Sequence, residues 1–162
     1  MDRIFRKAIE NNFSELVGLT VDASVPVPEH LVNEIIEVTL QGNKNMTYCR
    51  VSIAGENRVF VNLKTPLWPW PLNFKLRLFR SVDLTGPPKI RAFLENNVLL
   101  GKLGSLFKAL PDGINIYKDQ IVVNIESFLQ TPEQKRMLGL VRSVEIRTEE
   151  AKIILDVKAG VD

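Results

Sequence analysis

The chain has 162 residues, of which 45% are hydrophobic and 25% carry a charge. That composition supports a packed core and excludes a disordered or collagen-like chain. Its one cysteine, Cys49, excludes an intrachain disulfide and a metal site made of several cysteines. The net charge of +2 is too small to indicate a nucleic-acid-binding protein, so nucleic acid is not among the predicted partners. We expect a single domain over residues 1–162.

Two amphipathic helices are predicted in the first quarter of the chain. Apolar residues recur at three- and four-residue spacing over about residues 3–17 and again over about residues 28–40, where Pro28 suits the first turn. The charges interspersed in the first segment are unlike a secretory signal, and no apolar run approaches the roughly 18 residues that span a bilayer. The sequence therefore predicts a cytoplasmic protein whose only membrane association would be at the surface.

Beyond residue 46 the apolar period changes to two, which is typical of strands with one buried face. Tight turns separate pairs of such segments and predict three hairpins. Phe79 and Arg80 interrupt the alternation in one long strand, where a bulge is expected. Residues 90–94 fit a short strand or the start of a helix, and we favour the strand. The predicted strand segments are 49–53, 59–64, 72–84, 90–94, 114–116, 121–125, 144–146 and 151–157.

A central helix is predicted over residues 98–110, where apolar side chains form one stripe, and a short helix over residues 132–140. Because the strands are joined mostly by tight turns, an antiparallel sheet is favoured over a parallel one. The predicted fold is a mixed α+β domain in which an antiparallel sheet of about seven or eight strands, with the central helix, occupies residues 46–158 and packs on amphipathic helices.

Charge is unevenly distributed along the chain. Residues 50–91 contain eight cationic side chains and two acidic ones, which can produce a locally basic surface on a nearly neutral molecule. The same segment holds both tryptophans, in a proline-rich connection between two strands. Tryptophan favours positions where one edge is apolar and the other is wet, so membrane or anion contact is predicted here, while a solvated sheet face with indoles capping the core is the alternative. The predicted contact residues are Lys64, Trp68, Trp70, Lys75 and Arg77.

Residues that could carry catalysis are sparse and separated in sequence. His30 is the one histidine and stands at a predicted helix start, while Cys49 alternates inward with Val51 and Ile53. A structural role is the simpler interpretation of both. Glu34 and Glu37 share a helix but lack the apolar setting that would separate their pKa values. We predict no catalytic residue, no metal site and no cofactor.

The segment from the central helix through Leu110-Pro111-Asp112-Gly113-Ile114 to the strand that begins at Gln120 resembles the tubular lipid-binding superfamily, which includes the bactericidal permeability-increasing protein. The resemblance covers about residues 98–157. It implies a long, curved sheet wrapped round a helix, with an apolar groove for acyl chains between them. No binding residue of that family can be carried over by position.

Three functional hypotheses follow, ordered by the support they receive from these patterns. The first is non-enzymatic binding of an apolar or lipid-like ligand, with an anionic membrane surface as a further partner. The second is a protein-interaction or homodimeric module, and the third is an enzyme assembled from distant polar residues. The predicted lining of the apolar site is Phe74, Leu76, Leu78, Leu99, Leu103, Leu106, Phe107, Ile121 and Val123.

Overall fold

A computed structural model describes residues 18, 20–66, 69–95 and 110–160. Their elements, in chain order, are β1 (Thr20–Pro28), α1 (Glu29–Leu40), β2 (Tyr48–Ile53), β3 (Arg58–Lys64), β4 (Leu72–Leu78), β5 (Lys89–Leu94), β6 (Ile114–Tyr117), β7 (Gln120–Asn124), a 3₁₀ helix (Ile125–Phe128), α2 (Pro132–Leu138), β8 (Val141–Glu149) and β9 (Lys152–Gly160).

These strands form two antiparallel sheets. One has three strands in the order β1-β9-β8, and the other has six in the order β2-β3-β4-β5-β7-β6. The predicted α+β class with antiparallel strands is confirmed. The described residues contain nine strands rather than seven or eight, shared between two sheets rather than one, and neither sheet is strongly curled.

The core lies on one face of the six-stranded sheet, because its strands alternate apolar and polar residues. Paired strands place their inward residues opposite each other, as Val61 does with Val51 and Phe74. Helix α1 packs Val32, Ile36 and Leu40 against the buried cluster beside β2. The buried cluster consists of Met46, Val51, Ile53, Val59, Leu63, Phe74, Leu76, Ala92 and Leu94.

Helix α1 also protects an edge of the six-stranded sheet. The Asn33 side chain donates a hydrogen bond to the Val51 carbonyl (2.9 Å) and accepts one from the Val51 N–H (2.7 Å). The Glu29 carboxylate accepts a third from the Ile53 N–H (2.7 Å). These contacts satisfy backbone groups on the outer side of β2 that would otherwise be open to pairing with another chain.

Several predicted elements are confirmed by the structure. The hairpins β2–β3, β6–β7 and β8–β9 form, residues 90–94 are a strand rather than the start of a helix, and helices occupy Glu29–Leu40 and Pro132–Leu138. Turn residues Asn57, Lys118 and Ala151 take positive φ angles of 58°, 55° and 58°. The helices predicted over residues 3–17 and 98–110 fall on segments outside the described residues, apart from Leu110.

Strand β1 was not predicted, because Pro26 and Pro28 argue against a strand interior. The structure places β1 at an edge of the three-stranded sheet, where β9 is its one partner among the described strands. Prolines two residues apart direct their missing N–H groups to the same side of a strand. An edge strand tolerates that side being unpaired, so the prolines are compatible with β1. Pro28 ends the strand immediately before α1 rather than lying in the first turn of the helix.

The predicted strand over residues 72–84 was too long. Strand β4 ends at Leu78, and the chain then leaves the six-stranded sheet and runs beside β8. The Val82 N–H donates to the Val144 carbonyl (3.0 Å), and the Ile146 N–H donates to the Arg80 carbonyl (2.6 Å). The expected irregularity at residues 79–80 is therefore the point where the chain crosses from the six-stranded sheet to the three-stranded sheet.

Asn57 joins the two sheets at the same place. Its side-chain amide donates to the Ile146 carbonyl (3.0 Å), and its side-chain oxygen accepts from the Thr148 N–H (2.9 Å). The Ala151 N–H also donates to the Ile53 carbonyl (3.0 Å). Because these bonds connect the β2–β3 turn to β8 and to the β8–β9 turn, the two sheets have a fixed relationship.

Candidate functional site

The second face of the six-stranded sheet carries the side chains that alternate with the core, and we call it the open face. Register places Tyr48 opposite Lys64, and Phe60 opposite both Ser52 and Lys75. Most of these side chains are exposed, in contrast to the buried residues beside them. The open face comprises Tyr48, Arg50, Ser52, Arg58, Phe60, Asn62, Lys64, Asn73, Lys75, Arg77, Lys89, Arg91, Phe93, Asn115, Tyr117, Gln120, Val122 and Asn124.

Three carboxylates neutralise part of the positive charge on the open face. Glu56 pairs with Arg58 (2.8 Å) and Asp83 pairs with Arg91. Glu95 contacts the Lys75 ammonium (3.0 Å) and the Arg77 guanidinium (2.7 Å) through its two oxygens. Two of the cations predicted to contact a membrane or anion are therefore already ion-paired. Register in the folded sheet brings them to an acid that lies 18 and 20 residues away in sequence.

Three cations of the open face, Arg50, Lys64 and Lys89, have no ion pair with another described residue. Lys89 is half-buried on β5, whereas Arg50 and Lys64 are exposed on neighbouring strands. Lys64 was predicted as a contact residue, but Arg50 was not. The period-two alternation around Arg50 could have indicated its outward direction, because Cys49 and Val51 on either side of it point toward the core.

The ion-paired cluster around Glu95 has a definite electrostatic state. The hydrogen bond that Lys75 donates, together with the charges of Arg77 and Arg58, holds the pKa of Glu95 below its usual value. Glu95 is therefore ionised at neutral pH. A carboxylate with a lowered pKa is poorly suited to donate or accept protons near neutrality, so the cluster neutralises charge rather than forming an acid-base pair.

A shallow groove of about 430 Å³ crosses the open face over β2, β3 and β4. Arg50 and Lys75 stand on opposite sides of it, and Phe60 lies between them. The Asn62 side chain donates a hydrogen bond to the Asn73 side-chain oxygen (2.6 Å) across its floor. None of the residues that line the groove is acidic.

An aromatic and cationic rim lies at one end of the open face. Tyr48 and Lys64 form the last pair of the β2–β3 ladder. The connection from Lys64 to Leu72 leaves the sheet at this end and carries Trp70, which is 73% exposed. This end of the sheet therefore combines an exposed indole and a tyrosine, both amphipathic, with a lysine that has no described ion pair. Trp68, predicted with this group, falls outside the described residues.

The predicted apolar lining divides between the core and segments outside the described residues. Phe74 and Leu76 are members of the buried cluster, while Leu78 and Ile121 pack at its margin. Val123 is half-buried on β7. Leu99, Leu103, Leu106 and Phe107 are not among the described residues. An apolar pocket between the central helix and the sheet stays a prediction.

Cys49 and His30 lie on different elements, β2 and α1. The Cys49 thiol is half-buried on the core face of β2, and burial raises its pKa from 9.0 to about 11. His30 is exposed near the start of α1. No group of three or more His, Cys, Asp and Glu side chains in the described part of the chain could hold a metal ion.

Helix α1 presents a second apolar stripe on the side away from the core. Leu31, Ile35 and Val38 follow one another at four- and three-residue spacing, and each is more than two-fifths exposed. The helix therefore has apolar side chains on two sides, of which the described residues cover one.

No protein-family model, curated protein or solved structure matches this chain. Across the described ranges, no helix has both the length and the apolar character needed to cross a membrane.

Proposed function

We propose that this protein is a non-enzymatic domain that binds a lipid-like, anionic ligand at a membrane surface, with the open face as its contact. The observation that carries this proposal is the grouping of Tyr48, Lys64 and Trp70 at one end of that face, next to the unpaired Arg50. Aromatic side chains suit the boundary between head groups and acyl chains, while cations suit anionic head groups.

The arrangement of the open face favours a surface contact. The sheet is not strongly curled, so the aromatic and cationic groups on neighbouring strands can meet a broad surface together. Each cation near an anionic membrane contributes about 1 kcal/mol, and the contribution decays within a Debye length of about 8 Å at physiological salt. Arg50 and Lys64, together with one indole, therefore give weak, reversible and salt-sensitive binding.

The test is co-sedimentation of the protein with phosphatidylcholine vesicles that contain or lack phosphatidylglycerol. We expect binding only to the anionic vesicles, and we expect it to weaken as salt rises from 0.1 to 0.5 M. Lys64→Glu reverses one charge of the rim, a change of two unit charges, and should weaken binding about 30-fold. Lys158→Glu makes the same change on β9 in the other sheet and should have a smaller effect.

Trp70→Ala tests the aromatic part of the proposal. The partition of this variant to anionic vesicles should fall. Met137→Ala removes an exposed apolar side chain from α2 and should leave partition unchanged. Equal partition of the wild-type protein to neutral and anionic vesicles, or no partition to either, would contradict the proposal.

A homodimeric module is the second candidate function, and the outer stripe of α1 favours it. An exposed row of Leu31, Ile35 and Val38 on two copies could be buried face to face. Size-exclusion chromatography with light scattering decides between the states. A dimer that Ile35→Glu converts to a monomer would support this candidate, and a wild-type monomer at high concentration would refute it.

A further inference from the structure

We infer that the groove between Arg50 and Lys75 binds the phosphate group of an anionic lipid head group. This inference rests on the proposed function, because it assigns the part of the open face that distinguishes one anionic lipid from another. The rim would then supply attachment to the membrane, while the groove would supply selectivity for phosphate.

Register places two rows of complementary side chains next to each other in the groove. One row is Ser52, Phe60 and Lys75, and the other is Arg50, Asn62 and Asn73. Neighbouring strands lie about 4.8 Å apart, and successive rows on one face are about 6.6 Å apart along a strand. Long side chains from β2 and β4 can therefore reach one ligand that rests on β3.

The donors in these rows suit a tetrahedral phosphate. A guanidinium such as that of Arg50 can bind two phosphate oxygens at once, and an ammonium adds a compact charge. Lys75 has three N–H donors and uses one contact for Glu95, so the others are available. Asn62 donates to the oxygen of Asn73, which leaves the Asn73 amide N–H groups without a partner among the described residues.

Phe60 gives the groove an apolar floor between its two cations. Its side chain is 44% exposed, although a phenylalanine on a sheet face normally gains by being covered. The glycerol backbone and first methylene groups of a lipid would cover it while the phosphate contacts Arg50. No acidic residue lines the groove, and Arg50 has no ion pair with a described residue, so the groove is complementary to an anion although Glu95 pairs with Lys75 and Arg77.

The test compares two vesicle types of equal surface potential. One owes its negative charge to phosphatidic acid and the other to oleate, which carries a carboxylate instead. The wild-type protein should bind the phosphatidic acid vesicles severalfold more tightly. Arg50→Gln should lose about fivefold in affinity for them, the fold-change that corresponds to one cation near the surface, and should lose its preference between the two lipids.

Arg136→Gln is the matched control, because Arg136 is an exposed arginine on α2 outside the open face. Equal affinity of the wild-type protein for both vesicle types, or an equal response of Arg50→Gln and Arg136→Gln, would overturn the phosphate site while leaving membrane binding intact. Failure to bind either vesicle type would overturn the proposed function as well. Displacement from vesicles by a single-stranded oligonucleotide, but not by glycerol 3-phosphate at equal phosphate concentration, would show that the groove serves nucleic acid instead.

Discussion

The two faces of the six-stranded sheet are made by the same strands, yet they have opposite physical roles. Phe93 and Leu94 are neighbours on β5, but Leu94 is 1% exposed in the core and Phe93 is 38% exposed on the open face. The core face packs against α1 beside β2 and has a cysteine as its most polar strand residue, whereas the open face combines cations, amides and aromatic rings. Residues that maintain the fold therefore lie on the core face, and residues that can contact a ligand lie on the open face.

The largest expected difference between the faces is in stability. Leu94→Ala removes a fully buried side chain and should destabilise the fold by about 2–5 kcal/mol, because a cavity adds to the lost burial. Phe93→Ala, one position away, should cost much less, since its side chain is already partly in water. Urea unfolding measures both. Equal losses for the two variants would mean that the open face is covered in solution.

The reactivity of the Cys49 thiol measures how accessible the core face is, and it needs no substitution that would alter the packing. A pKa raised from 9.0 to about 11 lowers the thiolate fraction at pH 8 by about a hundredfold, and the thiolate is the reactive form. A thiol-specific disulfide reagent should therefore react at least about a hundredfold more slowly with the native protein than with the protein in urea. Comparable rates would show that this face is accessible.

The raised pKa of Cys49 also predicts how stability responds to alkali. The folded state holds the thiol proton more tightly than the unfolded state. The contribution of this difference to the free energy of unfolding is therefore complete below pH 9 and declines as pH rises toward 11. In the conservative variant Cys49→Ser, the free energy of unfolding should fall less between pH 9 and 11 than it does in the wild-type protein.

Substitution of Asn33 tests whether its hydrogen bonds to the edge of β2 keep α1 packed against the core face. Asn33→Ala would leave the Val51 N–H and carbonyl without their partners and should cost about 1–3 kcal/mol. Thr39→Ala removes an exposed hydroxyl from the same helix and should cost little. If thermal unfolding shifts equally in both, the Asn33 contacts do not stabilise the edge.

Substitution of Glu95, which pairs with cations of the open face, should produce the smallest of these effects. Glu95→Gln removes the carboxylate that pairs with Lys75 and Arg77, so the affinity for anionic vesicles should rise by about fivefold. Glu149→Gln breaks comparable ion pairs with Arg147 and Lys152 in the three-stranded sheet. An equal rise in both variants would assign the effect to net charge rather than to the open face.

Sequence periodicity predicted the sheet faces well because alternation is a local property. The inward direction of Val51, Phe74 and Leu76 follows from period two, and the structure buries all three. Strand pairing is not local, so the division into two sheets and the crossing after Leu78 could not be predicted. The prolines of β1 concealed that strand, because their compatibility depends on its position at an edge.

The candidate site was predictable only in part, for the same reason. Lys64 and Trp70 were identified from composition, and both are exposed on or beside the open face. The neutralisation of Lys75 and Arg77 by Glu95 depends on pairing between β4 and β5, which charge counting along the chain cannot show. Arg50 and Phe60 gained their significance only when register placed them beside the same groove.

The most direct test of the central claim is amide hydrogen exchange with and without vesicles containing phosphatidylglycerol. Binding through the open face should slow exchange in β2, β3, β4 and the connection that carries Trp70, and it should leave β8 and β9 unchanged. Slowed exchange in the three-stranded sheet or along α1, with none over β2–β4, would contradict the assignment of the open face as the binding surface.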